Sequence, residues 1–177
     1  LAAYLRLANL AANPGWYTDE GTHLDLARNL IAGRVQYLAI DESVLLFSRL
    51  PLFEALFALW TRVFGLSLEA LRALTGTLGV ASVAALYAAI RAVSRDRALA
   101  VLAPFLLAIY PSAVLYSRFG FSYNLLAPLM LIALWGLIEY RIVRPSTPSK
   151  RWLAVSAFSI GLGAITGPLL GPSLGGY

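Results

Sequence analysis

The chain has 177 residues, of which 59% are hydrophobic and 13% charged, with a mean hydropathy of +0.73. A soluble domain carries about a quarter charged residues, so this composition excludes an ordinary water-soluble fold and points to lipid as the solvent. The net charge of +5 does not indicate nucleic acid, because no basic run with interleaved aromatics occurs and the cations sit at the ends of apolar runs. There is no cysteine, which excludes a disulfide framework and a thiolate site.

In chain order, residues 1–12 are apolar except for Arg6 and Asn9, and read as the last turns of a truncated first span. A cleavable signal peptide is the rival reading, since Ala-rich sequence precedes Asn13-Pro14-Gly15, but the basic n-region is missing. Residues 13–67 then form a first loop with two helices in it. The first, 19–32, has Thr18 or Asp19 as cap, acids in its first turn, an apolar stripe of Leu24, Ala27, Leu30 and Ile31, and Gly33 as terminator. The second, 51–64, carries Glu54, Ala58, Thr61 and Arg62 on one stripe and large apolar residues elsewhere. That pattern suits a helix lying in the interface, with a short tilted span as the alternative.

Four long apolar segments follow, at 68–90, 98–117, 121–140 and 152–170, each long enough for about 20 residues of bilayer crossing. They are continuously apolar rather than alternating, which argues against barrel strands. The small residues of 68–90 suit a helix packed inside a bundle, and Pro104, Pro111 and Pro128 are expected to kink their helices. The connection 91–97 holds three Arg against one Asp, and 139–151 holds three Arg and one Lys against one Glu. Residues 13–50 hold five acids against three Arg. By the positive-inside rule the basic connections are cytoplasmic and the acidic loop is outside. The expected fold is all-α, a polytopic transmembrane helical bundle with two membrane-surface helices in the first outer loop.

The residues able to carry chemistry gather at that outer face. Asp19 and Glu20 lie where the chain leaves the membrane, after Trp16 and Tyr17, and a partly desolvated carboxylate there could act as a general base. The ordinary alternative is that Thr18-Asp19-Glu20 only caps a helix. Arg49, Arg72 and Arg118 fall at the same level, where guanidinium groups could bind a lipid phosphate, although a single such arginine is more often a snorkelling anchor. His23 and Tyr123 are further candidates for contact with acceptor or donor. With one His and no Cys a zinc site is not expected, and a divalent cation on Asp19 and Glu20 would be thinly liganded, so no cofactor is assigned.

Together these residues resemble the first part of membrane glycosyltransferases of the C superfamily, in particular the protein O-mannosyltransferase and aminoarabinose-transferase-like families. The resemblance is carried by Tyr17-Thr18-Asp19-Glu20-Gly21-Thr22-His23-Leu24 with Ala27-Arg28-Asn29-Leu30 and Gly33, and by Arg49-Leu50-Pro51-Leu52-Phe53. Phe64-Gly65, Glu69-Ala70-Leu71-Arg72 and Tyr116-Ser117-Arg118 extend it. It implies an enzyme of a bacterial or archaeal plasma membrane that moves a sugar from a polyprenyl-phosphate carrier to a protein, lipid or glycan acceptor at the outer face, with inversion. Asp19 would be the base, Glu20 its acidic neighbour, and Arg49 and Arg72 cations near the lipid phosphate. Phe121-Ser122-Tyr123-Asn124 departs from the family pattern by supplying no second carboxylate, and the Gly- and Pro-rich stretch from Thr166 lacks the expected apolar continuation. The chain then corresponds to about the first third of such an enzyme and is expected to be inactive by itself. A multi-span transporter and a non-enzymatic membrane scaffold are the alternatives from other classes.

Overall fold

The computed structural model describes residues 1–12, 14–34, 52–94, 96–143 and 149–166. Every regular element among them is helical. The helices are α1 (Ala2–Leu7), α2 (Thr18–Ile31), α3 (Leu52–Phe64), α4 (Leu68–Val93), α5 (Arg97–Ile109), α6 (Pro111–Arg118), α7 (Leu126–Ile138) and α8 (Lys150–Ala164). A 3-10 turn, Ser122–Leu125, leads into α7, and a π turn, Glu139–Val143, leads out of it.

Two helices are long and apolar enough to cross a membrane, Leu68–Val93 and the continuous run Ser122–Val143. A third crossing is available if α5 and α6 count as one span bent by 56°. The segment expected to cross at 98–117 is therefore a broken helix. Pro111 supplies no N–H to continue the ladder, and Tyr110 takes extended backbone angles of φ −61° and ψ 117° at the joint. Of the other two prolines, Pro104 lies inside α5, and Pro128 lies in the first turn of α7, where its missing N–H disturbs the ladder least. The segment expected at 152–170 is helical over Lys150–Ala164, and its last residues lie outside the described ones.

Helix α4 is the axis of the bundle and packs against α7, α5, α1, α6 and α3. Small residues make this possible. A Cβ on Gly76 would lie 2.9 Å from the Arg6 carbonyl oxygen and one on Gly79 would lie 2.7 Å from the Ser117 Cβ, so glycine at these positions lets α1 and α6 close on α4. The same device joins α7 to α8, where a Cβ on Gly136 would stand 2.9 Å from the Trp152 carbonyl oxygen.

Helices α2 and α3 form a pair over the first turns of α4. Ala27, Phe53, Phe57, Ala70, Leu71, Leu74 and Leu125 make the buried cluster that joins them. The buried faces differ from the stripes read in the sequence. In α2 Leu26, Ala27 and Asn29 are buried while Ile31 is exposed, and in α3 Thr61 is buried with its hydroxyl donating to the Ala58 carbonyl at 2.7 Å. The surface that α3 leaves uncovered bears Leu59, Val63 and Phe64.

Candidate functional site

Three pieces of chain converge on the first turns of α4: the segment leaving α1, the start of α2 and the turn after α6. Glu20 and Arg72 together join all three. Glu20 stands in the first turn of α2, and its carboxylate folds back to accept the Tyr17 N–H at 3.1 Å, satisfying a donor that a helix start would otherwise leave open. Its Oε1 also accepts from Arg72 Nε at 2.8 Å and from the Gly120 N–H at 2.9 Å, and its Oε2 accepts from Arg72 Nη2 at 2.7 Å. Glycine is needed at 120 because a Cβ there would overlap Leu71. Burial pushes the Glu20 carboxyl up, but the Arg72 hydrogen bond and charge and the Gly120 and Tyr17 N–H groups outweigh it and hold the group below the ordinary glutamate value.

Arg72 is equally enclosed. Besides Glu20 it donates through Nη1 to the carbonyls of Leu10 and Pro14 at 2.9 and 2.8 Å, and through Nη2 to that of Gly15 at 3.0 Å. All five guanidinium N–H groups are thus taken by protein acceptors, and none is presented to a lipid phosphate in this arrangement. Arg118 donates to the carbonyls of Leu5, Ala8 and Asn9 at 2.9, 2.8 and 3.2 Å, at the C-terminal end of α1 where a cation is favoured. Asn9 itself has a φ of 55°, a left-handed angle that asparagine tolerates, and turns the chain out of the helix. Arg49 lies outside the described residues.

Asp19 is adjacent in sequence but about 100° round the helix, and the structure puts it on the opposite footing. It is exposed, and it enters no ion pair among the described residues. Beside it runs a series of rings. Tyr17 meets Phe121 and Phe119 edge-on at 5.2 and 5.9 Å, Phe119 stacks on Phe121 at 5.1 Å, and Phe121 stacks on Tyr123 at 5.0 Å. Tyr123 lies within the field of the Asp19 charge. Behind this rim a cavity of about 580 Å³ opens among α4, α6 and α7, lined by Tyr116, Ser117, Tyr123, Asn124 and Met130 and reached by Arg6.

His23 is engaged with α3. Its Nδ1 pairs with Glu54 Oε1 at 3.0 Å and its ring meets Phe53 edge-on at 5.1 Å, so it ties α2 to α3. Among the described residues, no group of three His, Cys, Asp or Glu side chains converges.

The residues proposed from the sequence thus divide. Asp19 and Tyr123 share the rim, Glu20 and Arg72 form a buried pair beneath it, Arg118 holds the end of α1, and His23 belongs to the α2–α3 contact. Sequence reading missed Arg6 and Gly120. Arg6 had a signal, since an arginine within an apolar run needs a partner in the bundle. Gly120 had none, because a glycine in a short turn shows nothing of the carboxylate its N–H will meet.

Compared with family models, curated proteins and solved structures, the chain matches none of them.

Proposed function

We propose that this chain supplies the acceptor-side carboxylate of a membrane glycosyltransferase that uses a polyprenyl-phosphate sugar. The observation that carries the reading is the opposite placement of two adjacent acids: Glu20 is sequestered in an ion pair with Arg72, while Asp19 stands exposed beside an aromatic rim. A base must reach its substrate and a structural carboxylate need not. In the proposed step Asp19 takes the proton of an acceptor hydroxyl, the oxygen attacks the anomeric carbon with inversion, and the carbon–oxygen bond to the lipid phosphate breaks, its electron pair leaving on the phosphate. Arg72 and Arg118 are engaged with protein acceptors, so the proposal gives the leaving phosphate to Arg49.

The membrane arrangement belongs to the same proposal. Helix α4, the run Ser122–Val143, the bent α5–α6 pair and α8 form the spanning bundle, with the acidic loop outside. Helices α2 and α3 lie on the outer surface. Leu59, Val63 and Phe64, left uncovered with Arg62 among them, support contact of α3 with lipid.

The test is sugar transfer by the full-length protein in proteoliposomes supplied with a polyprenyl-phosphate sugar. Asp19→Asn is expected to lower the rate by roughly 10²- to 10⁴-fold, the range of a lost general base, without loss of membrane insertion. A wild-type rate in that variant rejects Asp19 as the base.

One observation favours a second reading. A helix broken inside the bundle, as at Pro111, is a feature of transporters whose substrate sites lie at discontinuous helices. Substrate flux into vesicles with no glycosylated product would select it.

A further inference from the structure

The break between α5 and α6 frees backbone carbonyls at the end of α5. Leu107 would normally accept from the N–H four residues on, but that residue is Pro111, which has none. Ala108 is likewise among the last four carbonyls of α5, which have no partner within their own helix. Both have a partner from far away in sequence. Arg6 donates through Nη2 to the Leu107 carbonyl at 3.0 Å and through Nη1 to the Ala108 carbonyl at 2.8 Å.

The route of that side chain is also specific. Arg6 is 1% exposed, and it crosses α4 at Gly79, where a Cβ would lie 2.9 Å from both its Cδ and its Nε. The absent side chain of Gly79 is the passage from α1 to α5. Its two terminal nitrogens serve the freed carbonyls, and a buried guanidinium at a helix C-terminus is favoured by the helix dipole. Downstream of the break, α6 delivers Arg118 to the end of α1 and Gly120 to Glu20.

We infer that Arg6 is a positioning residue: by occupying the two carbonyls that the break at Pro111 frees, it fixes the 56° bend and thereby sets where α6 places the rim beside Asp19. The bend holds whatever the substrate, so it can be read by distance alone and does not stand or fall with sugar transfer.

The chain contains no cysteine, so paired cysteines at Glu69 on α4 and Leu115 on α6 give a clean background for spin labels and electron–electron distance measurement in lipid nanodiscs. Helix α6 has 8 residues and is about 12 Å long, so straightening it through the bend angle moves its far end by about 10 Å. Pro111→Ala alone is expected to keep the wild-type distance, since Arg6 still holds both carbonyls. Arg6→Lys is expected to retain most of it, having donors for the same oxygens. Arg6→Met is expected to broaden the distribution and shift it by several ångströms. Folded Arg6→Met protein with the wild-type distribution overturns the inference. If Arg6→Met does not fold, the double variant Arg6→Met with Pro111→Ala decides. The restored N–H then serves Leu107, and the protein is expected to fold with a straightened helix. Failure of the double variant to fold, or a retained bend in it, also overturns the inference.

Discussion

Glu20 and Arg72, 52 residues apart, meet through two parallel hydrogen bonds of 2.8 and 2.7 Å in which both side chains are all but fully buried. Around this pair the rest of the site is arranged. The carboxylate takes N–H groups from the start of α2 and from the turn after α6, and the guanidinium takes carbonyls from the chain leaving α1. One ion pair therefore sets the relative position of three segments that are distant in sequence.

Removing one partner leaves a buried charge uncompensated, which costs about 3–5 kcal/mol. Glu20→Gln and Arg72→Met are each expected to lower the thermal stability of the detergent-solubilised protein by that order. The double variant is expected to be more stable than the sum of the two losses, because it strands no charge. Melting curves of the three variants check this, and strict additivity would speak against a coupled pair.

The same pair sets a pH response. The folded Glu20 carboxyl is held below its ordinary value of 4.5, so its contribution to stability is fully present above that value and is lost as pH falls through the lower, folded-state value. Wild-type protein is expected to lose stability on acidification below about pH 4.5, and Glu20→Gln to show a shallower decline. Parallel melting series between neutral and acidic pH measure the difference.

At Gly79 a methyl group would press on Arg6 and on the Cβ of Ser117, 2.7 Å away. Backbone-proximal atoms cannot swing aside, so Gly79→Ala is expected to destabilise the protein by about 1–3 kcal/mol, as overpacking does. Gly161 has open space around it, and Gly161→Ala is expected to be neutral or slightly stabilising, since alanine is the better helix former. Paired thermal melts compare the two.

Orientation in the membrane is open to direct labelling. Without native cysteine, Thr18→Cys and Ser94→Cys each carry one thiol. A membrane-impermeant maleimide added to intact cells is expected to label the first and to label the second only after lysis. The opposite pattern would invert the proposed topology.

Much of the helix content was legible because its signals are local. Ser67 caps α4 by accepting the Ala70 N–H at 3.1 Å, Asp96 caps α5 by accepting the Ala98 N–H at 2.8 Å, and the apolar runs between them are long enough to be read directly. The site was less legible. The family resemblance gave Asp19 and Glu20 different roles, but nothing in their residue types shows that one is buried, and only the helical phase relative to Arg72 and Gly120 separates a buried anchor from an exposed acid. Pro104 and Pro111 look equally disruptive. The helix breaks at Pro111, where Arg6 stands ready to take the carbonyls it frees, and that partner lies about a hundred residues upstream.

The division between the two acids is tested most directly by carrying Asp19→Asn and Glu20→Gln through two measurements on the full-length protein, sugar transfer from a polyprenyl-phosphate donor and thermal stability. Asp19→Asn is expected to lower transfer by roughly 10²- to 10⁴-fold while leaving stability within about 0.5 kcal/mol of wild type, as exposed substitutions do. Glu20→Gln is expected to lower stability by several kcal/mol. An Asp19→Asn protein that transfers sugar at the wild-type rate, or a Glu20→Gln protein as stable as wild type, would contradict the assignment.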